Sequence, residues 1–99
     1  MTPEQEAARG DRARQYVEDE LVKEAFQTIH DALHSQWEYS SFSDKEGREA
    51  AYFMLRGFNE FKQFFANVIA DGDFSKATIK KKLEKSIEGV NKDGGWFTR

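Results

Sequence analysis

Residues 50–69 read AAYFMLRGFNEFKQFFANVI, a stretch that sets six aromatic side chains around the single glycine at 57. Met54, Phe58, Phe61, Phe65 and Val68 recur in steps of four and three. That spacing predicts a helix with a heptad-like seam, suited to long side-by-side packing. At 100° per residue, Phe53 and Phe64 fall well to one side of the seam, with Gly57 between them. The apolar face is therefore wider than one partner helix can cover. A missing side chain between two phenylalanines also makes a notch that another backbone can enter. Three occupants are open: a third helix folding back, a helix of a neighbouring subunit or partner, or a third helix exchanged between protomers.

Working outward, Val22, Phe26, Ile29, Leu33 and Trp37 follow steps of four, three, four and four, with Leu21, Ala25 and Ala32 widening the stripe. This predicts an amphipathic helix. Ser40-Ser41-Phe42-Ser43 is short enough to demand an antiparallel turn. Ser43-Asp44-Lys45-Glu46 reads as a capping box opening the second helix. Asp71-Gly72 reads as its exit, with glycine in a left-handed turn. A third helix then presents Ile79, Leu83, Ile87 and Val90 on one face. Before all this, Thr2-Pro3-Glu4-Gln5 is a helix start, with a threonine cap and a glutamine placed to reach back. Gly10 weakens that segment by about 1 kcal/mol relative to alanine, so residues 1–11 are expected to fray or to be set at an angle. The predicted fold is all-α: an antiparallel helical hairpin (about 12–40 and 44–71, spanning 12–72 with its turn), a shorter basic helix within 73–90, and a flexible tail over 91–99 carrying Trp96 and Phe97.

Ninety-nine residues fit one domain and bury little more than about 60% of the unfolded surface, so a core completed by other subunits is a live option. With no cysteine, disulfides, thiolate catalysis and cysteine zinc sites are excluded. No apolar run approaches the roughly 18 residues of a membrane span, and the first residues lack the apolar core of a signal peptide. The expected location is the cytosol of a cell or of a virus-infected cell. Charge is uneven. Residues 1–50 hold 6 Lys/Arg against 12 Asp/Glu, or −6, and residues 51–99 hold 9 against 6, or +3, which together give the net −3. An acidic half and a basic end suit contact within an oligomer as well as contact with nucleic acid.

Chemistry is sparse. His30 and His34 share a helix face with Glu38, a spacing able to chelate zinc, but the HExxH pattern is absent and packing is the plainer reading. Arg9-Gly10-Asp11 spells the integrin-binding tripeptide without a braced loop to present it, and is read as coincidence. Glu18, Asp19, Glu20 and Glu24 form a solvated charge run rather than a paired acid–base site. No phosphate loop, nucleophile pair or cofactor motif appears, so an enzyme is not expected and no metal or cofactor is implied. Lys76, Lys80, Lys81, Lys82 and Lys85 could contact phosphates. Base-reading arginine, asparagine and glutamine are missing beside them, so a solvated lysine face opposite the acidic first helix is favoured.

Asp44-Lys45-Glu46-Gly47-Arg48-Glu49, followed by Tyr52-Phe53-Met54-Leu55 and preceded by a helix ending at Trp37, resembles a family of small helical proteins of tailed bacteriophages and prophages, often encoded among head and DNA-packaging genes. The likeness covers roughly residues 10–73 and leaves out the basic end. It implies a viral origin, a place in host cytoplasm or virion, a role in particle assembly, and no catalytic residues. The expected activity is thus non-enzymatic: a homo-oligomeric virion structural or assembly component whose partners are itself or other phage structural proteins. Its interface residues would be Phe53, Gly57 and Phe64, with Trp96 and Phe97 docking the tail. The alternative is a nucleic-acid-associated packaging or regulatory factor using Lys76, Lys80, Lys81, Lys82 and Lys85. An inhibitor of a host enzyme, presenting the acidic helix as a ligand mimic, is a third reading that no residue favours.

Overall fold

In a computed structural model of the chain, backbone is described for residues 1–92 and side chains for residues 1–87. The described residues form three helices and no strand: α1 (Pro3–Glu18), α2 (Glu20–Glu38) and α3 (Lys45–Lys92). Trp96 and Phe97 lie outside the described residues.

Each helix start has a side-chain cap. Thr2 Oγ1 accepts from the Gln5 amide at 3.1 Å, while Gln5 Oε1 accepts from the Thr2 amide at 2.9 Å. This reciprocal box satisfies two otherwise orphaned donors, and it holds α1 regular from Pro3 onward. The expected fraying of residues 1–11 is not what the backbone does. At the start of α3 the cap is Asp44 rather than Ser43, with Oδ1 accepting from the Gly47 amide at 3.0 Å. A Cβ at position 47 would meet that carboxylate, a side-chain end that a small shift could move aside.

The single helix expected over 12–40 is two. Asp19 adopts φ −61° and ψ 130°, an extended conformation that ends α1. Its carboxylate then accepts from the Leu21 and Val22 amides at 2.9 and 3.1 Å and opens α2. One residue serves as C-cap of one helix and N-cap of the next, and the chain bends there.

The largest correction concerns the basic segment. It is not a separate, shorter helix; α3 is unbroken for 48 residues, about 72 Å at 1.5 Å per residue. Asp71-Gly72 was expected to stop it, yet Gly72 is helical and buried. The reason is Gly10. A Cβ on either glycine would stand 2.8 Å from the Cα of the other, so α1 and α3 touch backbone to backbone at this point. Each glycine costs about 1 kcal/mol of helix propensity, which the close approach and its surroundings offset. Around the crossing, Arg14 pairs with both oxygens of Asp73 at 2.9 and 2.8 Å. Lys76 pairs with Asp11, and the buried Ser75 hydroxyl donates to Glu6 at 2.6 Å.

Further along, Tyr16 packs on Phe65 with ring centroids 5.0 Å apart. Phe26 meets Phe58, Phe61 and Phe65 at 5.9–6.4 Å. Residue numbers along α1 and α2 thus rise as their contacts on α3 fall. Among the described residues, the buried apolar ones are few and small: Ala13, Ala51 and Val68, with no large side chain fully enclosed. The molecule measures 82 × 25 × 19 Å with a radius of gyration of 22.8 Å, against about 13 Å for a compact chain of this length. Its accessible surface is 7958 Å², where a folded monomer of 11.5 kDa shows roughly 5,800 Å².

Candidate interaction surface

Between 51 and 72 of α3, the apolar or packed residues that lie buried or half-buried are Ala51, Leu55, Phe58, Lys62, Phe65, Val68, Ile69 and Gly72. Ala51 is fully enclosed, and Lys62 joins the row by laying its ammonium 5.0 Å over the Phe58 ring. Phe58, Phe65 and Val68 of the expected seam are thus inside, and the packed face widens to take in Ala51, Leu55, Lys62 and Ile69. Met54 and Phe61, placed by the sequence reading in the seam, are about half exposed.

Displacing them outward joins them to the flank singled out from the sequence. Phe53 is 63% and Phe64 56% exposed, and nothing lies within 4 Å of where a Gly57 Cβ would be. The notch is open; α3 is continuous and does not fold back to fill it. Leu21 is 73% exposed on α2, and Ile29 and Tyr16 are also largely open. Next to Phe64 an open groove of about 710 Å³ is walled by Ala13, Tyr16, Val22, Phe65 and Val68, with Arg9 and Arg12 at its rim. Phe53, Met54, Gly57 and Phe64 thus form a stripe that the described residues leave largely open, edged by Phe61, whose other side meets Phe26. No sequence signal separated this stripe from the packed one, since both are apolar at helical spacing. Gly10, the other half of the glycine contact, was read only as a weakness.

The remaining candidates fall apart geometrically. His30 and His34 stack at 5.9 Å, but their nearest acids are at 3.4 Å and belong to different residues, Asp31 and Glu38. No group of three potential metal ligands occurs among the described residues. Arg9-Gly10-Asp11 lies inside α1, with Gly10 against Gly72 and Asp11 paired to Lys76, so it is not displayed on a loop. Lys76 is held by that pair. Lys80 meets Glu84 at 4.0 Å, and Lys81, Lys82 and Lys85 are exposed. Among the described residues Lys76 alone of the five reaches an acid of α1, and none pairs with Glu18, Asp19, Glu20 or Glu24.

At the far end, Trp37, Arg48, Tyr52 and Phe53 border a shallow recess, with Arg48 5.4 Å over the Phe42 ring. Among the described residues no helix is long and apolar enough to cross a membrane. Comparison with family models, with curated proteins and with solved structures gave no match.

Proposed function

We propose that the protein works through protein–protein contact as a homo-oligomer, an antiparallel helical hairpin whose uncovered face is closed by a second copy. The observation that carries this reading is the combination of an open apolar stripe with the absence, among the described residues, of any enclosed large side chain. On helical-wheel geometry, Ala25 and Ile29 of α2 turn to the same side of the hairpin as Met54, Gly57, Phe61 and Phe64 of α3. Fully buried aromatic side chains cover about 150–250 Å² each. Half-exposed, the large residues of this face would contribute several hundred Å², close to the ~800 Å² per partner of a stable interface. A monomer rarely leaves so large a contiguous apolar patch in water.

The resemblance of residues 44–55 and of the Trp37 helix to small phage proteins gives this self-association a setting, that of a virion structural or assembly component. Nothing in the site calls for catalysis or a cofactor in this role. Gly57 is the diagnostic position. Sedimentation of the wild-type chain and of Gly57→Leu at micromolar concentration tests the reading. A wild-type mass at a multiple of the chain, reduced by the substitution, is the expected result. A wild-type monomer refutes it, and so does a multimer whose mass the leucine leaves unchanged.

A further inference from the structure

The last described contacts between α1 and α3 are made by Ser75 and Lys76, with Ile79 still half-buried. From Lys80 to Ile87 the helix runs on with every side chain exposed. Leu83 and Ile87, one turn apart, are 60% and 61% exposed on this arm. Lys80, Lys81, Lys82 and Lys85 surround them, and Glu84 is the sole acid among the side-chain-described residues there.

The complementary surface lies at the bend between α1 and α2. Leu21, the most exposed leucine, is set among Glu18, Asp19, Glu20 and Glu24. Lys23 approaches Glu20 at 3.9 Å, and Asp19 is occupied as a cap. Glu18 and Glu24 have no ion-pair partner among the described residues. Tyr16 and Phe26 both reach Phe65, so Leu21 sits level with residues near 63 of α3. Leu83 is about 20 residues further on, or ~30 Å along an unbroken helix. A basic arm and an acidic apolar patch that match in charge therefore cannot meet within one chain.

We infer that they meet between chains: the 80–87 arm of one copy docks across the Leu21 patch of a second copy, lysines against Glu18, Glu20 and Glu24, with Leu83 covering Leu21. This rests on the self-association proposed above and names the element of the second copy that covers the bend. Charge pairs of this sort set register and partner choice more than raw affinity. Apolar contact beneath them supplies the driving force.

The test is a charge exchange in the full chain, read by sedimentation. Lys80→Glu/Lys81→Glu/Lys82→Glu and Glu18→Lys/Glu20→Lys/Glu24→Lys should each weaken self-association by roughly tenfold or more. An equimolar mixture of the two should associate to within about threefold of wild type, because opposite charges are restored at each mixed contact. A second measurement uses the absence of native cysteine. Leu21→Cys mixed with Leu83→Cys should give a disulfide-linked dimer on mild oxidation, since bridging needs Cα atoms within about 7 Å. Either protein alone should link poorly.

Wild-type dimers that tolerate both charge reversals overturn the docking of the arm while leaving self-association standing. Leu83→Cys linking to itself as fast as to Leu21→Cys overturns it too, because the arms would then pair with each other. A nucleic-acid shift at low salt that the lysine variant abolishes, with mass unchanged, assigns the arm to nucleic acid instead. A monomeric wild type removes both proposals at once.

Discussion

Replacing Gly72 with alanine sets two effects of known size against each other. Alanine is the better helix former by about 1 kcal/mol at an interior position, so propensity alone predicts a stabilised α3. The structure predicts the reverse. The new Cβ would stand 2.8 Å from the Gly10 Cα and 3.1 Å from the Glu6 carbonyl oxygen, both backbone atoms that cannot rotate away. Carbon–carbon contacts sit at roughly 3.5–4.0 Å, so α1 and α3 must part by most of an ångström. Overpacking of this kind costs about 1–3 kcal/mol. Parting the helices also stretches the Arg14–Asp73 pair and the Glu6–Ser75 bond that flank the crossing. The net expectation is a loss of about 1 kcal/mol, measured as a lowered urea midpoint by far-ultraviolet circular dichroism. Protein concentration must be held fixed, because association contributes to apparent stability. Adding Gly10→Ala should cost less than a second full increment, since the first alanine has already separated the backbones. A Gly72→Ala variant that gains the full propensity increment would refute the backbone contact.

Phe65 touches Tyr16, Phe26, Phe61 and Phe64, a number of aromatic partners that Phe26 alone equals among the described residues. Phe65→Ala should lower the unfolding free energy by about 3 kcal/mol, visible in the same urea titration, whereas Phe53→Ala should leave monomer stability nearly unchanged. Asp19→Ala removes the acceptor for two amides at the head of α2 and should cost about 1 kcal/mol, with hydrogen exchange accelerated at Leu21 and Val22.

Local signals with a side-chain mechanism were legible. The Thr2–Gln5 box and the amphipathic run from Val22 to Trp37 can be read from residue types alone, and the turn of residues 39–44 falls where Ser40–Ser43 places it. What escaped was decided by distant partners. Asp71-Gly72 carries an exit signal, but a glycine across the crossing turns it into a contact point. Gly10 has the same history. The phase of the α3 seam escaped for a different reason: periodicity identifies apolar stripes, and when two lie side by side it does not say which one the chain's own helices cover. The structure adds Ala51, Leu55 and Lys62 to Phe58, Phe65 and Val68, leaves Met54 outside, and sets Phe61 at the edge against Phe26. The bend that gathers Leu21 and its neighbouring acids escaped because the break at Asp19 is invisible in an otherwise continuous helical pattern.

The unbroken length of α3 has a consequence for how this chain can change. Because Phe53 through Ile87 ride on one continuous screw, removing a single residue between them would rotate everything downstream by about 100° and draw it in by ~1.5 Å. An insertion of seven would restore the azimuth to within about 20° while lengthening the reach by roughly 10 Å. Changes of length are therefore better absorbed in the 39–43 turn, ahead of the Asp44 cap, while inside this rod they should come in near-whole heptads.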